Sequence, residues 1–420
     1  MLLRDIHIEN FRAYKEFDCR FDKGVNLVIG DNGAGKTSLL AAIAQLLSLQ
    51  VSGFGGSLRV ETGDPYQEVK RSGDATISVR ECFPISISGT METDEDEKKL
   101  FSIVRKDYNN SEYKGNSSLI TSLTEKEGTI WPLISFQRFD REWKLGKNTG
   151  KTITMETGLN QRADGYKECL SGNGQDTKIQ SWCLKMSMLE FERKASISEF
   201  TTFKSIIQTF LRTIEDIDGE FEVSYSVEFS GLALKMSDDI IPLYELSTGY
   251  KALLSMIMEL AYRTVLLNPG VQDVADRQTG IVVIDEVDTH LHPKWQWRVM
   301  DALTACFPNV QFIIATHSPI VISSAKEALL ISLGKDQGVT FLDGAYGYNV
   351  EDVLNLRQGS EAIPKLSGQF MERLEAALDE HDYDQARAIL DDAKHEFGEE
   401  SPVYTELENY LEINSWVENN

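Results

Sequence analysis

Gly30-Asp31-Asn32-Gly33-Ala34-Gly35-Lys36-Thr37 is the stretch that decides the fold class of this chain. It fits the spacing glycine, four residues, glycine, lysine, threonine. There the glycines let backbone N–H groups close around phosphates, and the helix that follows turns its positive end toward them. Upstream, Val25, Leu27, Val28 and Ile29 form a buried-strand run; downstream, Leu39, Leu40, Ile43, Leu46 and Leu47 fall at helical spacing. The order strand, loop, helix is what a nucleotide site needs. Asn32, Gly33, Ala34 and Gly35 are expected to line the loop, Lys36 to bridge the β- and γ-phosphates, Thr37 to coordinate Mg²⁺ and Ser38 to donate to the α-phosphate. ATP and Mg²⁺ are the cofactors this predicts. A second stretch, Gly146-Lys147-Asn148-Thr149-Gly150-Lys151-Thr152, is one residue too short between its glycines and has no apolar helix after it, so it reads as a flexible loop.

Ile281-Val282-Val283-Ile284-Asp285-Glu286 is a β-branched run ending in two carboxylates. Such a run suits a buried parallel strand that delivers acids to its C-terminal edge, where ligands bind in these sheets. Asp285 is read as holding the Mg²⁺ shell through water, and Glu286 as the general base that takes the proton of the attacking water. Phe312-Ile313-Ile314-Ala315-Thr316-His317-Ser318 is another buried strand, ending in a histidine suited to hydrogen-bond the γ-phosphate. Leu246-Ser247-Thr248-Gly249-Tyr250-Lys251 opens a helix whose apolar face continues through Leu253, Leu254, Ile257, Leu260 and Ala261. Ser247 has the chemistry of an N-cap; with Gly249 and Lys251 it also has that of a helix N-terminus offered to a phosphate.

These motifs divide the chain. Residues 1–50 and 236–335 read as an α/β ATPase core, and residues 51–235 as an inserted α+β region with an acidic knot at 92–97 and a Gly/Thr/Asn-rich loop around 146–165. Within that insertion a helix is expected near 198–215. A half-buried strand is expected where Phe221, Val223, Tyr225, Val227 and Phe229 alternate with polar residues. No heptads are sustained, which excludes long coiled-coil arms. Residues 336–420 read as an acidic helical module, with apolar stripes at Met371, Leu374, Leu378, then Ala386, Ile389, Leu390, Ala393, then Val403, Leu407, Tyr410, Leu411. It is either a solvated cap or a surface for a partner.

Net charge is −24, and the last 50 residues hold 15 acids against 3 bases, so half of the excess sits there. That balance argues against tight non-specific DNA binding by the monomer. Cys19, Cys82, Cys169, Cys183 and Cys306 are scattered, with no C-x-x-C pair, which points to small buried hydrophobes rather than a disulfide framework or a zinc site. No stretch is expected to approach the run of about 20 apolar residues that a membrane span needs, and the charged start, MLLRDIHIENF, does not read as a signal peptide, so a cytoplasmic location is expected.

The order phosphate loop, signature (leucine, serine, any residue, glycine), Asp-Glu strand, histidine, with Asn10-Phe11-Arg12 near the start, resembles the SMC/RecF-like branch of ABC-type ATPases. Asp285-Glu286-Val287-Asp288-Thr289-His290-Leu291-His292-Pro293-Lys294-Trp295-Gln296, Phe307-Pro308-Asn309-Val310-Gln311-Phe312, Tyr166-Lys167-Glu168-Cys169-Leu170 and Leu266-Leu267-Asn268-Pro269 resemble in particular the ATPase subunit of Septu anti-phage systems. The resemblance implies a mixed sheet flanked by helices and a head-to-tail dimer around two ATPs, each contacted by one subunit's Lys36 and the other's Ser247 and Gly249. It also implies a nucleotide contact from Arg12, a partner-facing loop with Asp288, His290 and His292, and a glutamine in the metal shell, for which Gln137 is the candidate.

Two functions follow from the resemblance. One is a regulatory ATPase that controls a separate HNH-type nuclease in phage defence and meets DNA through that complex. The other is a RecF-like repair ATPase that clamps DNA directly, and the acidic balance favours the first. A nuclease within the same chain would need carboxylate-bearing strands after His317, but Asp382-Tyr383-Asp384 lies between amphipathic helices. A transporter ATPase fits neither the long insertion nor the absence of a membrane segment.

Overall fold

The computed structural model describes residues 1–54, 58, 61, 63–72, 76–92, 98–114, 120, 128–138, 162–172, 174–215, 221–226, 228–229, 231–236, 239–334, 337–342, 344–353, 365–379, 382–399 and 401–418. The short glycine stretch at 146–152 and most of the acidic knot at 92–97 lie outside these residues. The chain forms two compact units, Met1–Val353 and Leu354–Asn420.

The first unit is built on two six-stranded sheets. One is antiparallel: β1 (Leu2–Leu3), β2 (Asp5–Phe11), β3 (Tyr14–Arg20), β7 (Ile85–Glu92), β8 (Lys98–Arg105) and β9 (Ser111–Lys114), in the order β3-β2-β7-β8-β9 with β1 also on β7. The hairpin β5 (Tyr66–Ser72) and β6 (Thr76–Cys82) precedes β7. The other sheet holds β4 (Val25–Gly30), β10 (Leu133–Arg138), β14 (Gly280–Asp285), β15 (Val310–Ala315), β16 (Leu329–Leu333) and β17 (Val339–Leu342), in the order β10-β14-β15-β4-β16-β17. All its pairings are parallel except β16 with β17. Its central strands β4, β14 and β15 are apolar on both faces because both faces are covered. A third sheet joins β11 (Phe221–Ser226), β12 (Gly231–Met236) and β13 (Asp239–Pro242).

Helix α1 (Lys36–Val51) touches strands of both large sheets, which explains why it is apolar all round. With the turn after it, Lys36–Phe54 is long and apolar enough to cross a membrane by length and composition, contrary to the sequence expectation that no such run exists. Leu39, Leu40, Ile43, Leu46 and Leu47 are all buried in the core of the first unit, which accounts for that composition. Three longer helices complete the unit: α2 (Asp176–Arg193), α3 (Ser198–Glu215) and α4 (Thr248–Leu267). Phe200, Phe203, Ile207, Phe210 and Ile214 give α3 its buried stripe, which packs on α4 and on α5 (Val299–Cys306).

Two expected boundaries move. Residues 51–235 are not a separate insertion: β7 pairs with β2 and β10 pairs with β14, so this stretch supplies strands to both sheets. The helical module starts beyond Val353 rather than at 336, because β17 is hydrogen-bonded to β16. That second unit consists of α6 (Lys365–Asp379), α7 (Tyr383–Phe397) and α8 (Pro402–Glu418). Phe370, Leu374, Ala377, Ala386, Ile389, Ala393 and Leu407 form its own small core. Asp382, one member of the Asp382-Tyr383-Asp384 pair, accepts from the Gln385 N–H as the N-cap of α7. Cys19, Cys169, Cys183 and Cys306 are buried free thiols, and Cys82 is a half-buried one.

Candidate functional site

The C-terminal ends of three neighbouring parallel strands carry the site: β4 runs into the phosphate loop, β14 ends at Asp285 and Glu286, and β15 leads to His317. Gly35 is left-handed, with φ of 101°, and starts α1 without any side-chain cap or first-turn acid. The N–H groups of that first turn are therefore left to an anion. A Cβ on Gly35 would stand 2.6 Å from the Tyr14 hydroxyl, which itself donates to the Gly35 carbonyl at 3.0 Å. Glycine is needed there both for the positive φ and for the close approach of Tyr14.

Lys36 is only 7 % exposed and donates to the Gly30 carbonyl at 2.7 Å and the Asp31 carbonyl at 3.0 Å. Burial lowers its pKa, opposed by the carboxylates of Asp285, Asp31, Glu286 and Asp288 around it. Thr37 is exposed and Asp285 buried. Glu286 is exposed and left-handed, with φ of 55°, and accepts from the Thr289 hydroxyl at 3.2 Å. Burial and the nearby Lys36 ammonium lower the His317 pKa, against the pull of Asp288, Glu286 and Asp31, so the ring is neutral at pH 7. A buried cation, an uncapped helix start, an exposed threonine hydroxyl on that first turn and a buried carboxylate at the neighbouring strand end have the chemistry that Mg²⁺ and a nucleotide phosphate require. Among the described residues no group of three or more His, Cys, Asp or Glu is placed to hold a metal ion on its own.

Gln137 is set apart from this cluster. Register pairs Gln137 with Ile284 and Arg138 with Asp285, so Gln137 leaves the sheet on the face opposite Asp285. Its amide donates to the Ser135 hydroxyl at 2.7 Å, and its Oε1 is buried with no hydrogen-bond partner among the described residues. The strand register thus argues against Gln137 as a ligand beside Asp285. Arg12 is left-handed, with φ of 47°, and its guanidinium is paired with buried Asp64 at 2.8 Å and lies over the Phe11 ring.

The signature residues sit at the start of α4. Exposed Ser247 accepts from the Tyr250 N–H at 3.4 Å, and Lys251 N–H donates to the Ser247 carbonyl at 2.9 Å. Gly249 lies directly against the backbone carbonyl of His290, closer than any Cβ could sit. Ser247, Gly249, His290, Leu291, His292 and Trp295 line one open cleft. Trp295 donates to Glu215 at 2.9 Å and meets Tyr250 edge-on.

Several contacts were not legible in the sequence. Tyr14 against Gly35, Glu215 under Trp295, and the bonds from Asp288 to Thr316 and from Gln296 to Ser318 join residues far apart in the chain. The two family segments at 166–170 and 266–269 both brace β10. Cys169 accepts from the Phe136 N–H, Tyr166 donates to the Pro132 carbonyl, and Asn268 bonds Trp131 on both backbone groups.

Comparison with known proteins gives these motifs a family. The chain is 24% identical over 395 residues to the Septu protein PtuA of Bacillus thuringiensis, covering 90% of each. It is 23% identical over 421 residues to a retron Vc95 probable ATPase of Vibrio cholerae serotype O1 biovar El Tor, covering 86% of this chain and 79% of that one. Among solved structures, an SMC head bound to the C-winged helix domain of ScpA is similar with a TM-score of 0.48 at 16% identity, over 82% of this chain and 98% of that chain. Residues 2–340 match the RecF/RecN/SMC N-terminal domain, and the chain belongs to that family.

Proposed function

We propose that this chain binds and hydrolyses ATP at the ends of β4, β14 and β15, and that two copies pair head-to-tail around two ATPs to regulate an associated HNH-type nuclease in anti-phage defence. The observation that carries the catalytic half is the convergence of Lys36, Asp285, Glu286 and His317 on one sheet edge. Lys36 exchanges its backbone carbonyl partners for phosphate oxygens. The N–H groups of residues 33–38 close around the same anion. Thr37 and Asp285 would hold Mg²⁺, which supplies charge neutralisation of the phosphates. Glu286 takes the proton of the attacking water, and its exposed position leaves it open to solvent. Neutral His317 donates a ring N–H to the phosphoryl group as charge develops there.

Exposure of Ser247 at the start of α4 supports its presentation to an ATP held by a second copy, with Gly249 and Lys251 beside it. The retron and Septu relatives support the defence setting. Residues 371–420, with their acidic surplus, are the proposed dock for the nuclease, and DNA is met through that complex. The same setting implies a cytoplasmic protein.

Steady-state turnover of the wild type and Glu286→Gln, with nucleotide affinity measured alongside, tests the chemistry. Turnover should fall by about 10²- to 10⁴-fold with ATP binding retained; unchanged turnover would remove Glu286 as the base. Affinity capture from the native host tests the rest. Stoichiometric recovery of an HNH-type nuclease is expected, whereas recovery of DNA alone would support the RecF-like clamp.

A further inference from the structure

His317 sits between two residues whose side chains are tied to the loop that follows Glu286, Thr316 directly and Ser318 through Gln296. On its N-terminal side, the Thr316 hydroxyl donates to Asp288 Oδ1 at 2.5 Å, and the His317 N–H reaches the same oxygen at 3.4 Å. On its C-terminal side, the Ser318 hydroxyl donates to Gln296 Oε1 at 2.7 Å while accepting from the N–H groups of Ile320 and Val321. Gln296 in turn donates from Nε2 to the Leu291 carbonyl at 3.0 Å. Ser318 N–H closes the ring by donating to Thr316 Oγ1 at 3.0 Å. Leu291 follows His290, whose carbonyl is the surface on which Gly249 rests. An unbroken line of contacts thus runs from the start of α4 through His290–Leu291 and Gln296 to Ser318 and His317.

We infer that Gln296 is a positioning residue: its amide bridges the 286–292 loop to the Ser318 cap and so fixes His317 in register with Glu286 and the α4 N-terminus. The inference rests on the reading of His317 and Glu286 as phosphate-facing groups. Gln296 suits the part because it needs both functions of an amide, an acceptor for Ser318 and a donor for Leu291, which neither a carboxylate nor an apolar side chain of the same length supplies. Asp288 holds the other flank, so losing Gln296 removes the tether on the Ser318 side while the Asp288 contact stays.

The test uses the full chain with Gln296→Met, which keeps length and volume, and Ser318→Ala, which cuts the same bridge from its other end. Histidine ring resonances of the nucleotide-free protein, with His317 assigned through His317→Gln, are recorded first. The His317 signal should shift or broaden in both variants while His7 and His395 stay in place; an unmoved His317 signal overturns the inference whatever the protein hydrolyses. Turnover is then measured. kcat should fall roughly 10- to 100-fold with KM within about twofold, the scale of a misplacement near 1 Å. The double variant should lose no more than the worse single one. A rise in KM alone, unchanged kcat, or losses that multiply in the double variant would overturn it. If one variant fails to fold, the other alone decides by the same criteria. Absence of turnover in the wild type would instead count against the ATPase reading, and the resonance measurement would still decide the bridge.

Discussion

His317 shows how much a single residue's chemistry depends on neighbours distant in the chain. Burial and the Lys36 ammonium hold its folded-state pKa below the ordinary 6.5, so between those two values the unfolded chain binds more protons than the folded one. Stability from this group is complete above pH 6.5 and falls as the pH drops toward the lowered value. Denaturant titrations from pH 8 to pH 5.5 should show that loss, and His317→Gln should reduce it. The sequence supplied the residue types of the site because Gly30–Ser38, Asp285–Glu286 and Thr316–Ser318 are contiguous strings at strand ends. Their hydrogen-bond partners, such as Asp288 for Thr316 and Tyr14 for Gly35, depend on which strands become neighbours, which no local pattern encodes. The face on which Gln137 lies is hidden from the sequence for the same reason: its pairing with Ile284, rather than with Asp285, is fixed only when β10 joins β14.

At the level of elements, the start of α4 is held by shape as much as by its cap. Gly249→Ala would drive a methyl into the His290 carbonyl, so we expect a loss of about 1–3 kcal/mol in denaturant unfolding. Gly53→Ala, with no atom within 4 Å of the new methyl, should change stability by less than about 0.5 kcal/mol. Deeper in α4, Arg263 is 0 % exposed, paired with Glu259 at 2.8 Å and donating to the Gly165 and Lys167 carbonyls. Arg263→Ala removes the guanidinium paired with the buried Glu259 carboxylate and its two bonds to the 162–170 segment, and it should cost roughly 3–5 kcal/mol. The periodicity of α3 and the apolar runs of β4, β14 and β15 made these elements readable from sequence. β10 could be read as a strand, but its membership in the core sheet could not, because that depends on a pairing with β14 across more than a hundred residues.

At the level of the whole molecule, each compact unit has its own apolar cluster. A chain ended after Val353 should therefore fold cooperatively and keep nucleotide affinity within about twofold, as calorimetric titration with ATP can check; loss of folding would show that the helical unit is needed for the first. Composition made the acidic helices visible, yet it misplaced the boundary, since Val339–Leu342 is a strand of the core sheet. The strand order has a further consequence during synthesis. β4, the strand that carries the phosphate loop, is made long before its neighbours on either side, β15 and β16, so Val25 must wait for Phe312 and Asn26 for Leu329. The nascent chain thus holds α1 and the completed Gly30–Thr37 loop without the parallel strands that flank β4 until β15 and β16 have been made, although β2, β7 and β8 are already there to cover part of α1. The phosphate loop is written well before the strands that complete its sheet, and such long-range pairing is the slow part of assembling a parallel sheet.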